Sequence, residues 1–300
     1  AAGRPGAEQR EALAALPYAQ GYDPPSTAAG GVLVHDAPAA WDGLNLIASA
    51  HAPEAVLADM RAGVLHRWAL GFSQVWPTRV LPPTTEAAHA RFWRRVHLLP
   101  EGELLVVFET LGLLKLDRAS RVVWAWDGGV HHDVVPLPDG SILALAQEPV
   151  AVPSGNAAND DFVVRLDAGG RPQAKVSLRR CFERSDYAPL LDRLPKYGDL
   201  FHTNRLVLLG PGLAPPFEAG RALVSIRTLG VVAVVDLEAE RVVWALSGLW
   251  RGQHDPTPLP DGRLLVFDNW WRARNSRVVE IDTRTQQVTW QYPAAGQPPF

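Results

Sequence analysis

Apolar residues along this chain come in short runs, and the same two kinds of polar turn interrupt them again and again. The first kind lies in Arg121 to Leu145, RVVWAWDGGVHHDVVPLPDGSILAL, which recurs as RVVWALSGLWRGQHDPTPLPDGRLLVF from Arg241 to Phe267. A third copy of its middle is VHLLPEGELLVVF, from Val96 to Phe108. Each copy reads as strand, Pro-Asp/Glu-Gly turn, strand. The second kind is an apolar run ending in Asp, a polar turn, then Val or Leu and Trp. It spans Asp59 to Trp68, Asp117 to Trp124, Asp236 to Trp244 and Asp282 to Trp290, and Asp167 to Val176 is a version without Trp.

The two hairpins joined end to end make a unit of four short strands, of the size expected for a β-propeller blade, roughly 40 to 50 residues. Five units are evident, over residues 45–70, 93–126, 131–178, 202–246 and 254–291. The fold class is therefore all-β, a propeller of four-stranded blades. To close a ring, either Gly31-Val32-Leu33-Val34-His35 completes a blade or part of the last blade lies beyond Phe300. The Trp at the end of each outer hairpin is expected to pack between neighbouring blades, where a large ring buries most area. Outside the repeat, Glu8 to Leu16 reads as a short helix, Pro24 to Gly31 as a linker, and Phe182 to Tyr197 as an insertion with a helical pattern. Residues 1–30 then precede one propeller domain over 31–300.

Composition agrees with many turns and a real core: 47% hydrophobic, 20% charged, 26 Pro and 25 Gly in 300 residues. A formal charge of -3 supplies no electrostatic footprint for nucleic acid or an anionic membrane surface, so an anion would have to be bound locally. Cys181 is the single cysteine, which excludes an intrachain disulfide and a thiolate metal cluster. No apolar run approaches the roughly 18 residues of a membrane span. Ala1-Ala2-Gly3-Arg4 has neither Met nor the apolar core of a signal peptide, which fits an exported protein after cleavage and equally an arbitrary starting point.

In a propeller the innermost strands surround a central channel, so residues at equivalent strand starts meet although they are far apart in sequence. The repeat places His132-Asp133 on His254-Asp255, and Phe201-His202-Thr203-Asn204 opens the unit between them. Three blades thus start with histidine where packing alone favours an apolar residue. His51 opens the first unit more loosely, and His131 points to the opposite face of its strand. Arg227 follows the apolar run Leu223 to Ile226, and its planar donors suit sulfate, phosphate or carboxylate oxygens, although a salt bridge at the blade rim would use the same residue.

The series HHDVVPLPDG, DLFHTN, LVSIRTLGVVAVVDL, VVWALSGLWRGQHDPTPLPDGRLLVFDN and SRVVEID resembles the bacterial arylsulfotransferase family, in the same order. With APEAVLADMRAGVLHRW before it, the resemblance covers most of residues 31–300. It implies a six-bladed propeller that moves a sulfuryl group from a phenolic ester to another phenol without a nucleotide donor or cofactor. It makes His254 the transiently sulfated nucleophile. His132, His202, Asn204 and Arg227 become its sulfate-binding and acid/base partners, with His51 and Asp255 as further substrate-side candidates. The implied partners are a small aryl sulfate and a phenol, and the implied location is periplasmic or secreted. The cysteine pair of the best-known form has no counterpart beyond Cys181.

Two other functions compete. Three histidines with Asp133, Asp255 and Asp268 would suit a divalent metal, although Arg227 beside them favours an anion. A propeller with a polar channel can also serve as a non-catalytic interaction platform. No Gly-rich phosphate loop, GxSxG elbow or Cys-His pairing occurs. Trp270 to Arg274 reads as an exposed loop between strands.

Overall fold

A computed structural model describes residues 31–81, 85–152, 157–272 and 275–293. The helix expected over 8–16 and the linker before residue 31 lie outside the described residues. The chain divides into two compact units, one of residues 4–131 with 169–171, the other chiefly of 132–168 and 172–300.

The first unit opens with β1 (Asn45–Ala48), β2 (Glu54–Ala58) and β3 (Val64–Ala69), a three-stranded antiparallel sheet. Helices α1 (Phe72–Val75) and α2 (Thr85–His89) lead to β4 (Arg95–Leu98), β5 (Leu104–Phe108), β6 (Gly112–Leu116) and β7 (Val122–Trp126), a four-stranded meander. Gly31 to His35 is not a strand, and Val32, Leu33 and Val34 are exposed. It therefore does not supply a fourth strand to the first sheet.

The second unit carries three more meanders. β8 (Val130–Pro136), β9 (Ile142–Ala151), β10 (Ala157–Leu166) and β11 (Pro172–Ser177) form one sheet. Helix α3 (Leu178–Glu183), a 3-10 turn over Ala188–Arg193 and the two-residue β12 (Gly198–Asp199), which pairs in parallel with β10, make up the insertion. The insertion thus turns helical at Leu178, earlier than the pattern from Phe182 indicates. β13 (Thr203–Leu208), β14 (Ala222–Ile226), β15 (Val231–Asp236) and β16 (Arg241–Ser247) follow, then β17 (His254–Pro258), β18 (Arg263–Arg272), β19 (Asn275–Asp282) and β20 (Gln287–Tyr292). The fold is all-β, built of propeller blades, and its five sheets are the five units of the repeat. A sixth sheet does not occur among the described residues. Trp270 to Arg272 prolong β18 instead of looping out.

Both recurring turns have a clear physical cause. In the inner hairpins the N–H groups of Leu99, Leu137 and Leu259 bond to the carbonyls four residues on, and Gly102, Gly140 and Gly262 take φ of 79°, 80° and 86°, a left-handed backbone that glycine adopts without penalty. Leu209 closes onto Arg221 across a longer loop in the same way, with Gly220 at 84°. In the outer hairpins the aspartate is the turn. Asp117 Oδ1 accepts the N–H of Ala119 and Arg121 at 2.8 and 2.9 Å, and Asp59 and Asp282 do likewise.

Middle strands are covered on both faces, so β5 and β14 are buried at every position and show no alternation. The Trp residues diverge. Trp68 is buried with Phe72, Trp93 and Phe108 in the first unit's core, whereas Trp290 on the last outer strand is 50% exposed and covers little. In the second unit α3 buries Leu178, Cys181 and Phe182 in the core, Phe182 lying 6.1 Å from Phe201 between ring centroids. The insertion thereby anchors the residue that precedes His202.

Candidate functional site

Counting back five residues from the leucine that closes each inner hairpin gives His132, Asn204 and His254. His132 and His254 do share one position of the repeat, as the sequence indicates. His202 does not, since it lies two residues upstream of the position that Asn204 holds. Three residues at these strand starts have a left-handed backbone although none is glycine: His132 with φ 52°, His202 with 49° and Asp255 with 45°. Such conformations cost of order 1 to 3 kcal/mol and persist where surrounding contacts over-determine them.

Those contacts are specific. The rings of His132 and His202 meet edge to face, 4.8 Å between centroids at 74°. Asp199, on β12, holds His202 twice, its Oδ1 accepting the backbone N–H at 3.0 Å and its Oδ2 lying 2.5 Å from Nδ1. A carboxylate accepts and does not donate, so in this contact the proton sits on Nδ1. His202 is 7% exposed. Asp161, fully buried, accepts the N–H of Thr203 at 2.7 Å and secures the same strand start to β10. Arg227 directly follows β14, and its backbone N–H reaches the His202 carbonyl at 3.3 Å, which puts it at the His202 end of that blade.

Asp133 and Asp255 both face Arg205. Asp133 Oδ2 accepts from Arg205 Nη1 and from the N–H of Leu206, both at 3.1 Å, and Asp255 Oδ1 lies 3.6 Å from the same Arg205 Nη1. Arg205 thus bridges the first strands of three successive sheets. Asn204 donates from Nδ2 to the Gln253 carbonyl at 2.7 Å. Gln253 is fully buried, and its Nε2 donates to Ser225 Oγ and to the carbonyls of Ile226 and Val231. The residue before His254 is therefore clamped from both sides.

His254 itself is half-buried. Its Nδ1 lies 3.0 Å from the Gly252 carbonyl and 2.7 Å from Asn269 Nδ2, and that Nδ2 is 2.9 Å from the same carbonyl. Below this triangle Asp268, 1% exposed, accepts from Arg277 Nε at 3.0 Å and from the N–H of Arg251 at 2.9 Å, which ties down the segment that enters β17.

His51 belongs to the other unit. It sits in the exposed turn between β1 and β2, its Nε2 2.9 Å from Glu54 Oε1 and its Nδ1 against Ser49 Oγ. His131 is a buried residue of β8. Among the described residues no group of three or more His, Cys, Asp or Glu side chains is placed to hold a metal ion. Asp133 and Asp268 answer to arginines instead. Asp199, Arg205, Gln253 and Asn269 escaped the sequence reading. Only Asn269 left a trace, as a polar residue seven positions after its turn glycine, matching Arg227 seven after Gly220.

A family model described as arylsulfotransferase matches residues 95–297. That span includes His132, His202, Asn204, Arg227 and His254 and leaves out His51. Among solved structures, the chain is similar to the WD40 β-propeller domain of Doa1, at 8% identity and a TM-score of 0.47, over 84% of this chain and 65% of that one. It is similar to the β-propeller domain of Cps50 (Swd1) from Myceliophteria thermophila, at 11% identity and a TM-score of 0.48, over 84% and 75%. It is also similar to BamB from Moraxella catarrhalis, at 13% identity and a TM-score of 0.40, over 83% and 61%. The chain thus spans less than two thirds of the Doa1 and BamB chains. No curated protein matches it.

Proposed function

The chain belongs to the arylsulfotransferase family, and on that premise we propose that its strand-start residues carry a sulfuryl group from an aryl sulfate to a phenol through a sulfated His254, with no nucleotide donor. His254 Nε2 attacks sulfur, an N–S bond forms, the aryl O–S bond breaks, and the electron pair leaves with the phenolate. His202, protonated at Nε2, gives that phenolate its proton. In the second half the acceptor phenol attacks sulfur and gives its proton back to His202, and the N–S bond breaks. A covalent intermediate divides one difficult displacement into two easier ones.

The observation that carries this reading is the Asp199–His202–His132 contact. A carboxylate 2.5 Å from Nδ1 makes His202 an imidazole able to take and return a proton at Nε2, the requirement for acid/base work in both halves. His132, edge-on to His202, and Arg227, at the same end of the blade, supply donors for sulfuryl oxygens as charge develops on them. Asn204 and Asp255 act one step back in this scheme, Asn204 through the Gln253 carbonyl and Asp255 through Arg205. The reading extends to location, a periplasmic or secreted protein. No helix among the described residues is long and apolar enough to cross a membrane.

The test is incubation of the purified protein with a chromogenic aryl sulfate and a phenol acceptor. Transfer that His254→Ala abolishes is expected, and a sulfated peptide containing His254 should be trapped by rapid quenching and mass spectrometry. If the wild type does no better than His254→Ala across several donors, the chain is a non-catalytic propeller.

A further inference from the structure

Arg227 stands in a turn, Arg227 to Gly230, that joins β14 to β15, and the paired residues Ile226 and Val231 form its mouth. Across that mouth lies the side chain of Gln253. Its Nε2 donates to the Ile226 carbonyl at 3.0 Å and to the Val231 carbonyl at 3.1 Å, with Ser225 Oγ at 3.2 Å. Backbone carbonyls only accept, so the atom facing them is the amide nitrogen and its hydrogens are committed here. The oxygen of the same carboxamide, Oε1, is buried and bonds to nothing among the described residues. An unsatisfied buried acceptor is a cost, so what this fully buried glutamine contributes is its pair of donors.

A second side chain from the same segment reaches the turn. Trp250, also buried, donates from Nε1 to the Gly230 carbonyl at 3.0 Å. On its other side the turn is tied to the segment that carries His202, the N–H groups of Arg227 and Thr228 reaching the carbonyls of His202 and Phe201 at 3.3 and 3.2 Å. Arg193 Nη2, from the insertion, donates to the Leu229 carbonyl at 2.8 Å. These contacts place the Arg227 turn between the segments that present His202 and His254. Gln253 is the residue directly before His254, and its own carbonyl accepts from Asn204 at 2.7 Å.

We propose that Gln253, with Trp250, is a positioning residue that joins the Arg227 turn to the start of the His254 strand, so that guanidinium and imidazole keep one separation and act on one sulfuryl group. The proposal rests on the reading above, in which His254 attacks sulfur and Arg227 binds its oxygens. Transfer needs donors already aimed where charge develops, and a misplacement of about 1 Å costs on the order of 100-fold in rate. A turn is the kind of segment that opens most easily, so Arg227 gains that aim from contacts outside its own hairpin. Gln253 touches neither substrate nor sulfur in this scheme.

The experiment uses the full chain and two variants. Gln253→Met keeps the length of the side chain and removes both donors, and Trp250→Phe keeps an aromatic ring and removes the N–H. Amide hydrogen exchange, read by NMR without ligand, should be at least about 10-fold faster at Arg227, Thr228 and Gly230 in both variants, with Leu223 and Val224 of β14 unmoved. Turn amides that exchange as in wild type, or a rise spread evenly over the blade, overturn the proposal. Trp250→Phe decides even if Gln253→Met fails to fold.

Binding of inorganic sulfate, followed by calorimetry, reads the consequence for Arg227. Gln253→Met should weaken it about 10-fold or more, and Arg227→Ala should weaken it comparably. Added to Arg227→Ala, Gln253→Met should cost little further, because the residue it positions is already gone. An equal loss in both backgrounds overturns the proposal. A wild type that binds sulfate in a Gln253-dependent way and transfers nothing removes the nucleophile reading and leaves the role of Gln253 standing. Transfer that Gln253→Met lowers equally with and without Arg227 does the reverse.

Discussion

Asp199 grips His202 through both carboxylate oxygens, one on the backbone N–H at 3.0 Å and the other 2.5 Å from Nδ1, three residues away in the chain. The double contact does two things. It stabilises a left-handed backbone at His202, which a β-carbon disfavours, and it settles which ring nitrogen is engaged by the protein. The local turn geometry and the hold on the His202 ring therefore depend on one side chain, and that side chain belongs to the two-residue strand β12 at the end of the insertion.

Asp199→Asn keeps an acceptor oxygen but removes the carboxylate that holds the His202 ring at Nδ1. Steady-state kinetics with an aryl sulfate donor should show kcat reduced by about 100-fold, the lower end of what acid/base catalysis supplies, with KM changed little. An unchanged kcat would remove His202 from proton transfer.

Asp133→Ala should be the most damaging of the charge changes to stability. It leaves the Arg205 guanidinium and the Leu206 N–H without the buried carboxylate that accepts from both, and Asp133 is only 2% exposed. A loss of roughly 3 kcal/mol is expected in urea unfolding, since breaking a buried pair strands the remaining charge. Asp133→Asn should recover part of it through the retained Leu206 contact.

Gly262→Ala should destabilise the last blade. A β-carbon there would come within 2.8 Å of the Pro215 carbonyl oxygen, on a backbone at φ 86°. A cost of at least about 1 kcal/mol follows from the conformation alone, and the contact adds to it. Thermal denaturation followed by circular dichroism measures this, and Gly210→Ala, where nothing lies within 4 Å, is the control.

Cys181 should be inert in the folded protein. Burial among apolar side chains pushes its thiol from the usual 9.0 up to about 12, so the reactive thiolate is scarce at neutral pH. Labelling with an alkylating reagent should be slow until denaturant is added. The sign for stability follows. The native state holds this proton where the unfolded chain has lost it, so the contribution of Cys181 is intact below about pH 9 and declines as pH rises toward 12. A protein that becomes more stable over that interval would contradict the burial argument.

Much of the architecture was legible in advance because a blade is a local object. Its turns are made by Asp side chains and glycines within a few residues of the strands they join, and these stand in the sequence at fixed spacing. Five units read from spacing are the five sheets. Gly31 to His35 had the composition of a strand but is not one, and pairing is a non-local event that composition does not record. Trp290 repeats the motif of Trp68 and yet is half exposed, because burial depends on what stands opposite and not on the motif.

The candidate site divides along the same line. His132, Asn204 and His254 could be found because they occupy one recurring strand start, whereas His202 stands two residues before it. Their partners could not. Asp199 comes from an insertion outside the repeat, Arg205 reaches Asp133 from 72 residues away, and Asn269 reaches His254 from the neighbouring strand. Hydrogen bonds of this kind are chosen by side-chain direction at a bulged strand start, where the simple alternation of faces fails. The amino-acid sequence by itself therefore determined the blades, since short-range turn chemistry and strand period suffice for that. Only the tertiary structure decided which nitrogen of each histidine is held, which aspartates serve arginines, and that Asn269 faces His254, because each depends on contacts between strands that the chain brings together only on folding.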